Sequence, residues 1–315
     1  MPTPVPELDM AGSNDSTTFA SWFSAANGQP DRRRGFSGWP ARWLAFTVVA
    51  TVPLLLVVGP IGAFLALSLL RVEGGAIVYE PSLSNYAAFF GNPTYWRTYL
   101  GTLWLCAQVV ALCLIIGYPV AWFIWRRQGS LRYVLLLLAA LPLFMSYIVK
   151  LYTLRSILGL NGLLNQTLVG MGVLDQPSHL FLFNQRAVLI TMTVVYFPFA
   201  MIPIFLSLER VPEALLHASS DLGANLLGTI RHVILPLSLP GAMAGALFAF
   251  VLALGDFVTP QMVGGPSGFT FGRIVWSQFG LAYNWPFGAA LAAILLATAA
   301  VLIALAGLVA RWRGQ

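Results

Sequence analysis

Charge is what this 315-residue chain has least of: Asp, Glu, Lys and Arg make up 9% of it, while hydrophobic residues make up 58%. Ordinary soluble domains carry about 25% charged residues, so a length sufficient for two soluble domains is here mostly chain suited to lipid. Lysine is scarcer still. Lys150 stands alone, behind Tyr147-Ile148-Val149 at the end of an apolar run. A phosphate-binding P-loop requires Gly-x-x-x-x-Gly-Lys-Ser/Thr, whose lysine reaches the β- and γ-phosphates, and no such loop is present. Gly-x-Ser-x-Gly and His-Glu-x-x-His are absent too, so no cluster for catalysis exists and any ATP used must be hydrolysed on another polypeptide. The two cysteines, Cys106 and Cys113, are seven residues apart on one predicted helix. That is about 10 Å along its axis, too far for a disulfide, and both read as packing residues. The histidines at 179, 217 and 232 lack metal-ligand spacing, so no metal site is expected.

What is present is a series of long apolar runs. Segments 43–70, 99–125, 131–149, 187–208, 238–258 and 286–310 can each cross a hydrocarbon core of about 30 Å. The predicted fold is an all-α integral membrane protein with six transmembrane helices, the third and fifth bounded or interrupted by Pro142, Pro236, Pro240 and Pro260. Residues 1–42 are polar, carry Arg32-Arg33-Arg34 and read as a mobile tail; 43–310 form the membrane domain, and 311–315 a short second tail. The first apolar run begins far inside the chain and reads as an uncleaved insertion signal. Of the 17 basic residues, Arg32, Arg33, Arg34, Arg42, Arg126, Arg127, Arg132, Arg210, Arg231, Arg311 and Arg313 fall on one side of such a topology. Arg71, Arg97, Lys150, Arg155, Arg186 and Arg273 fall on the other. The bias predicts both termini in the cytoplasm. It also explains the net charge of +6 as a topology signal. Nucleic-acid binding would need a basic stripe, and no loop has one.

One polar island interrupts this pattern on the cytoplasmic side: residues 209–236, ERVPEALLHASSDLGANLLGTIRHVILP. Pro212 suits the start of a helix and Gly223 its end. Glu213, His217 and Asp221 follow each other at i, i+4 and so share one face, with Leu215, Leu216 and Leu222 as the apolar complement. Gly223 together with Val233-x-Leu235-Pro236 resembles the cytoplasmic coupling loop of ABC importer permeases, whose pattern runs Glu-Ala-Ala, three residues, Gly, nine residues, Ile-x-Leu-Pro. His217-Ala218-Ser219 stands here in place of Glu-Ala-Ala. A histidine there still hydrogen-bonds but is at most partly charged at pH 7. Either Glu213, one turn earlier, supplies the carboxylate, or the partner's groove has adapted to histidine. An interfacial amphipathic helix is the competing reading, but such helices are rich in Lys and Arg, and 211–230 has neither.

The resemblance extends over about 43–310. KLYTLRSILGLNGLLNQTL at 150–168 and Leu254-Gly255-Asp256-Phe257-Val258-Thr259-Pro260 are similar to segments of the spermidine/putrescine-type permeases. Membership would imply a type I ABC importer permease fold and a place in the bacterial inner membrane. It would also imply a second homologous permease, a cytoplasmic ATPase dimer that binds ATP and Mg, and a periplasmic substrate-binding protein as partners, with no cofactor on this chain. Glu213, His217, Ala218, Asp221, Gly223, Leu235 and Pro236 would then serve coupling to the ATPase.

For the substrate pathway the candidates are Asp256, Phe257, Tyr147 and Tyr152. An ionisable group at membrane depth faces a cavity or a partner. The Asp256 carboxylate can pair with a protonated amine while aromatic faces flank the cation, or it can instead cap a helix end or meet Arg273. Pro198 and Pro203 predict kinks in the fourth span. Gly241-x-x-x-Gly245 permits close helix approach, either within this subunit or against a second permease. Relatives carrying opines or amino-acid derivatives remain an alternative. An ion-coupled secondary transporter would be expected to show an internal repeat, and none is visible.

Overall fold

A computed structural model describes residues 39–313; residues 1–38, with the expected tail and Arg32-Arg33-Arg34, lie outside the described part, as do 314–315. The chain forms two compact units divided at Pro60. Helix α1 spans Trp39–Leu67. Its start at Trp39 takes in residues 39–42, which the sequence reading assigns to the tail. Thr47 ties its hydroxyl to the Trp43 carbonyl (2.9 Å), the usual way a helix interior absorbs a threonine.

In the second unit a small hairpin, β1 (Arg71–Glu73) and β2 (Ala76–Val78), pairs antiparallel with Val72 opposite Ile77. The helices then follow in order: α2 (Ser84–Gly91), α3 (Pro93–Trp125), α4 (Ser130–Ala140), α5 (Tyr147–Leu158), α6 (Leu163–Gly170) and α7 (Gln185–Leu208). After these come α8 (Glu213–Asp221), α9 (Leu226–Thr229), α10 (Leu235–Gly255), α11 (Val258–Val263), α12 (Phe271–Gly280) and α13 (Trp285–Arg313). Among the described residues five helices are long and apolar enough to cross a membrane, six if one bent pair counts as a single span.

The bent pair corrects the expectation of a straight third span over 131–149. The chain leaves α4 through a 3₁₀ turn at Leu141–Phe144, passes Met145 in extended conformation, and re-enters helix at Tyr147 after a bend of 99°. Pro142 sits inside the 3₁₀ turn, where it withholds one backbone N–H from the helical ladder.

The fifth span also differs. It starts not at 238 but at Leu226, runs through a π turn at Ile230–Ile234 and reaches Gly255 without interruption. The second half of the polar island is therefore the first turns of a membrane helix. Pro236 has no N–H to give to the preceding turn, and the wider π turn lies immediately before it, a common arrangement at irregular helix positions.

The core is built by α3, α7 and α10. Cys106, Val109, Ala187, Val188, Ala200 and Ala249 are fully buried in one cluster, and Ala121, Met201, Ile204 and Leu208 in a second. Gly241 and Gly245 set the spacing. A Cβ on Gly241 would come within 2.4 Å of the Pro203 carbonyl, and one on Gly245 within 2.4 Å of the Ala200 carbonyl. The Gly-x-x-x-Gly pair is thus used inside this chain, against α7, the first of the two roles open to it. Pro198 and Pro203 lie within α7, which stays one continuous helix. A third cluster, of Phe89, Phe271, Phe287 and Leu291, joins α2, α12 and α13, with Tyr95 and Tyr99 in edge-to-face contact. Cys106 and Cys113 are buried free thiols.

Candidate functional site

Two places concentrate polar chemistry, one at each end of the α7–α10 pair. At the first, α8 ends in a sequence of bonds that needs glycine. Gly223 N–H donates to the Ser220 carbonyl (2.9 Å) and Ala224 N–H to the Ser219 carbonyl (3.0 Å), with Gly223 at φ +75°. This is the Schellman termination, in which a left-handed residue satisfies the last helical carbonyls. The inner face of α8 holds Ser219, whose hydroxyl meets that of Thr229 (2.9 Å), and Leu216, packed on the second core cluster. Glu213, His217, Ala218 and Asp221 are all exposed. So are Leu215 and Leu222, at 43% and 87%, leaving Leu216 as the inward member of the apolar set. Leu235 and Pro236 are also exposed, but on α10 beyond the π turn. The island is anchored at its start, where the Arg132 guanidinium reaches Glu209 (2.7 Å) and lies over the Phe205 ring. Neither residue stands out in sequence, because the pair joins segments far apart in the chain.

At the other end of α10, Asp256 is 7% exposed. Its Oδ1 accepts the N–H groups of Val258 and Thr259 (3.0 Å each), and its Oδ2 accepts the hydroxyls of Tyr147 (2.7 Å) and Tyr196 (2.8 Å). Tyr147 also lies 2.7 Å from the Thr259 hydroxyl. Four neutral donors therefore hold this carboxylate, and among the described residues no cation pairs with it. Arg273 instead donates to the Gly265 carbonyl and lies over Phe269. The capping role open to Asp256 is occupied in this conformation: it fixes the turn from α10 into α11.

Of the other pathway candidates, Tyr147 is part of this cluster, and Lys150 sits 5.8 Å from its ring. Phe257 stacks on Trp276 with centroids 6.3 Å apart. Tyr152 is 59% exposed and shares no bond with Asp256. Tyr196, which sequence reading missed, is the second phenol on the carboxylate. The available signal was a tyrosine within an apolar span, since a buried phenol needs a hydrogen-bond partner.

Residues 109–314 match the family described as binding-protein-dependent transport system inner membrane component. The chain is 34% identical over 262 residues to the spermidine/putrescine transport system permease protein PotB of Haemophilus influenzae, covering 83% of this chain and 88% of that one. It is 32% identical over 248 residues to PotB of Escherichia coli K12, covering 79% and 86% respectively. Among solved structures it is similar to a bacterial alginate ABC transporter in complex with an alginate pentasaccharide-bound periplasmic protein. The TM-score is 0.67 at 16% identity, over 85% of this chain and 93% of that one, a likeness of fold alone.

Proposed function

Since this chain belongs to the binding-protein-dependent transport system inner membrane components, multi-pass permease subunits rather than enzymes, we propose that it forms half of the translocation pathway of an ATP-driven importer for polyamines such as spermidine and putrescine. A second homologous permease would complete the pathway. A cytoplasmic ATPase dimer carrying ATP and Mg would drive it, and a periplasmic binding protein would deliver the substrate. Both termini then lie in the cytoplasm.

The observation that carries the reading is α8. It is a short helix with Glu213, His217 and Asp221 exposed along it and a glycine-terminated end, pinned to the membrane domain by Leu216, Ser219 and the Arg132–Glu209 pair. A helix laid in a partner's groove through anchors at helical spacing transmits rigid-body motion. The wide turn and prolines at the base of α10 lie directly behind it. On this reading ATP binding moves α8, and α10 follows, because Gly241 and Gly245 lock it to α7.

The substrate assignment rests on the relatives named for spermidine and putrescine, and on a buried carboxylate with no cation beside it among the described residues. Asp256 accepts from neutral donors only, so an ammonium group that reached it would meet an uncompensated negative charge. Purification of the tagged chain with its co-expressed neighbours tests the assembly: an ATPase that co-elutes in stoichiometric amount is the expected result. Elution without an ATPase, combined with uptake driven by an ion gradient, would support the secondary-transporter alternative.

A further inference from the structure

On the α8 side of the membrane domain lies a cavity of about 1000 Å³, bounded by the end of α3, the start of α4 and the inner side of α8. Two features make it electropositive. Arg126 and Arg127 line it, resting over the rings of Trp122 and Phe123 at 5.3 and 4.3 Å, and neither forms an ion pair among the described residues. The third arginine, Arg132, is balanced by Glu209, and Glu213 adds one further carboxylate.

Helix α4 begins here behind Gly129 with no side-chain cap, so the positive end of its dipole faces this side without a protein anion on it among the described residues. Trp122 is also in the lining, and its indole N–H is shielded from solvent with no acceptor among the described residues. Arg126, Arg127 and the uncapped start of α4 all favour an anion in this cavity.

We propose that this cavity binds the phosphate of an anionic phospholipid headgroup. The ends of α3, α4 and α7 place it at a membrane surface, and Trp122, Trp125 and Tyr133 in its wall are the residue types that settle at headgroup depth. Basic pockets between membrane helices on the cytoplasmic side are suited to such headgroups. A lipid bound there touches the first turn of α4 and the inner side of α8 together, so membrane composition would act on the element that receives the ATPase stroke. The proposal depends on membrane insertion and not on the choice of substrate, so it and the polyamine reading fail independently.

The test uses the assembled transporter in phosphatidylcholine nanodiscs doped with a phosphatidylglycerol bearing a headgroup-proximal photoreactive group. The matched phosphatidylcholine probe serves as comparison. Mass-spectrometric mapping should place phosphatidylglycerol adducts on residues 122–133 and find no such concentration for the choline probe. Each basic contact to an anionic lipid is worth about fivefold, so Arg126→Gln with Arg127→Gln should lower labelling by roughly twenty-five-fold. Arg126→Lys with Arg127→Lys should retain most of it, because a point charge still holds a phosphate. Inorganic phosphate at about 10 mM, roughly tenfold above a millimolar Kd, should not compete.

Equal labelling by the two lipid probes would overturn the proposal, and this comparison needs no variant to fold. Labelling unchanged in the double glutamine variant, or lost on adding inorganic phosphate, would overturn it as well. So would labelling seen only when the ATPase is stripped away, since that would make the cavity part of a protein interface.

Discussion

Asp256 is the residue on which the proposed substrate chemistry turns. Its two roles make different demands on the same carboxylate. As a cap it needs only an oxygen facing Val258 and Thr259; as a partner for an ammonium it needs the negative charge. Asp256→Asn separates them, since the amide keeps one oxygen for the two N–H groups and loses the charge. Breaking a buried charge pair by removing one member typically costs about 3–5 kcal/mol, less where water screens it. Uptake of labelled spermidine by reconstituted complexes should therefore fall strongly in the variant while assembly and basal ATP hydrolysis persist; equal uptake would leave Asp256 as a cap alone.

Tyr196→Phe probes the same cluster from the phenol side. It removes one of four donors from the carboxylate and should lower thermal stability by about 1.5–3 kcal/mol, the range for a hydrogen bond to a charged group. An unchanged melting temperature in detergent would contradict the geometry described. Asp256 was visible in the sequence because a charge amid apolar residues is conspicuous. Tyr196 was not, because its partner lies 60 residues away and tyrosine is common in apolar spans.

At the level of elements, what was legible depended on whether the determining physics is local. The end of α8 is decided by a few adjacent residues, and Gly223 in the left-handed region agrees with the reading from sequence. Gly223→Val forces a β-branched side chain into that region, at about 1–2 kcal/mol. The expected outcome is normal membrane insertion with weakened ATPase attachment; pull-down of the variant should recover less ATPase than wild type. Full recovery with normal substrate-stimulated hydrolysis would remove α8 from the coupling account.

Non-local packing decided the rest. Hydropathy could not show that the fifth span begins at Leu226, because polar residues and a π turn mask its first turns. Nor could it show a 99° bend in the third, although Pro142 marks the place. Gly245→Ala tests the α7–α10 contact: a Cβ within 2.4 Å of the Ala200 carbonyl is overpacking, worth about 1–3 kcal/mol. The melting temperature in detergent should drop accordingly, and no change would mean the two helices separate easily.

At the scale of the whole second unit, the core runs through α3, α7 and α10, with a polar, exposed helix on one side and a buried carboxylate at the far end of α10. That arrangement suits a subunit that receives work at one face and delivers it to a pathway, rather than one that performs chemistry. Such a subunit is inactive alone, so the account stands on the assembly. The most direct measurement is accumulation of labelled spermidine and putrescine in proteoliposomes containing this chain, its partner permease, the ATPase and the binding protein. Accumulation should require ATP and stop when either the ATPase or the binding protein is omitted. Polyamine uptake that continues without the ATPase under an ion gradient, or a complete assembly that hydrolyses ATP yet moves no polyamine, would contradict it.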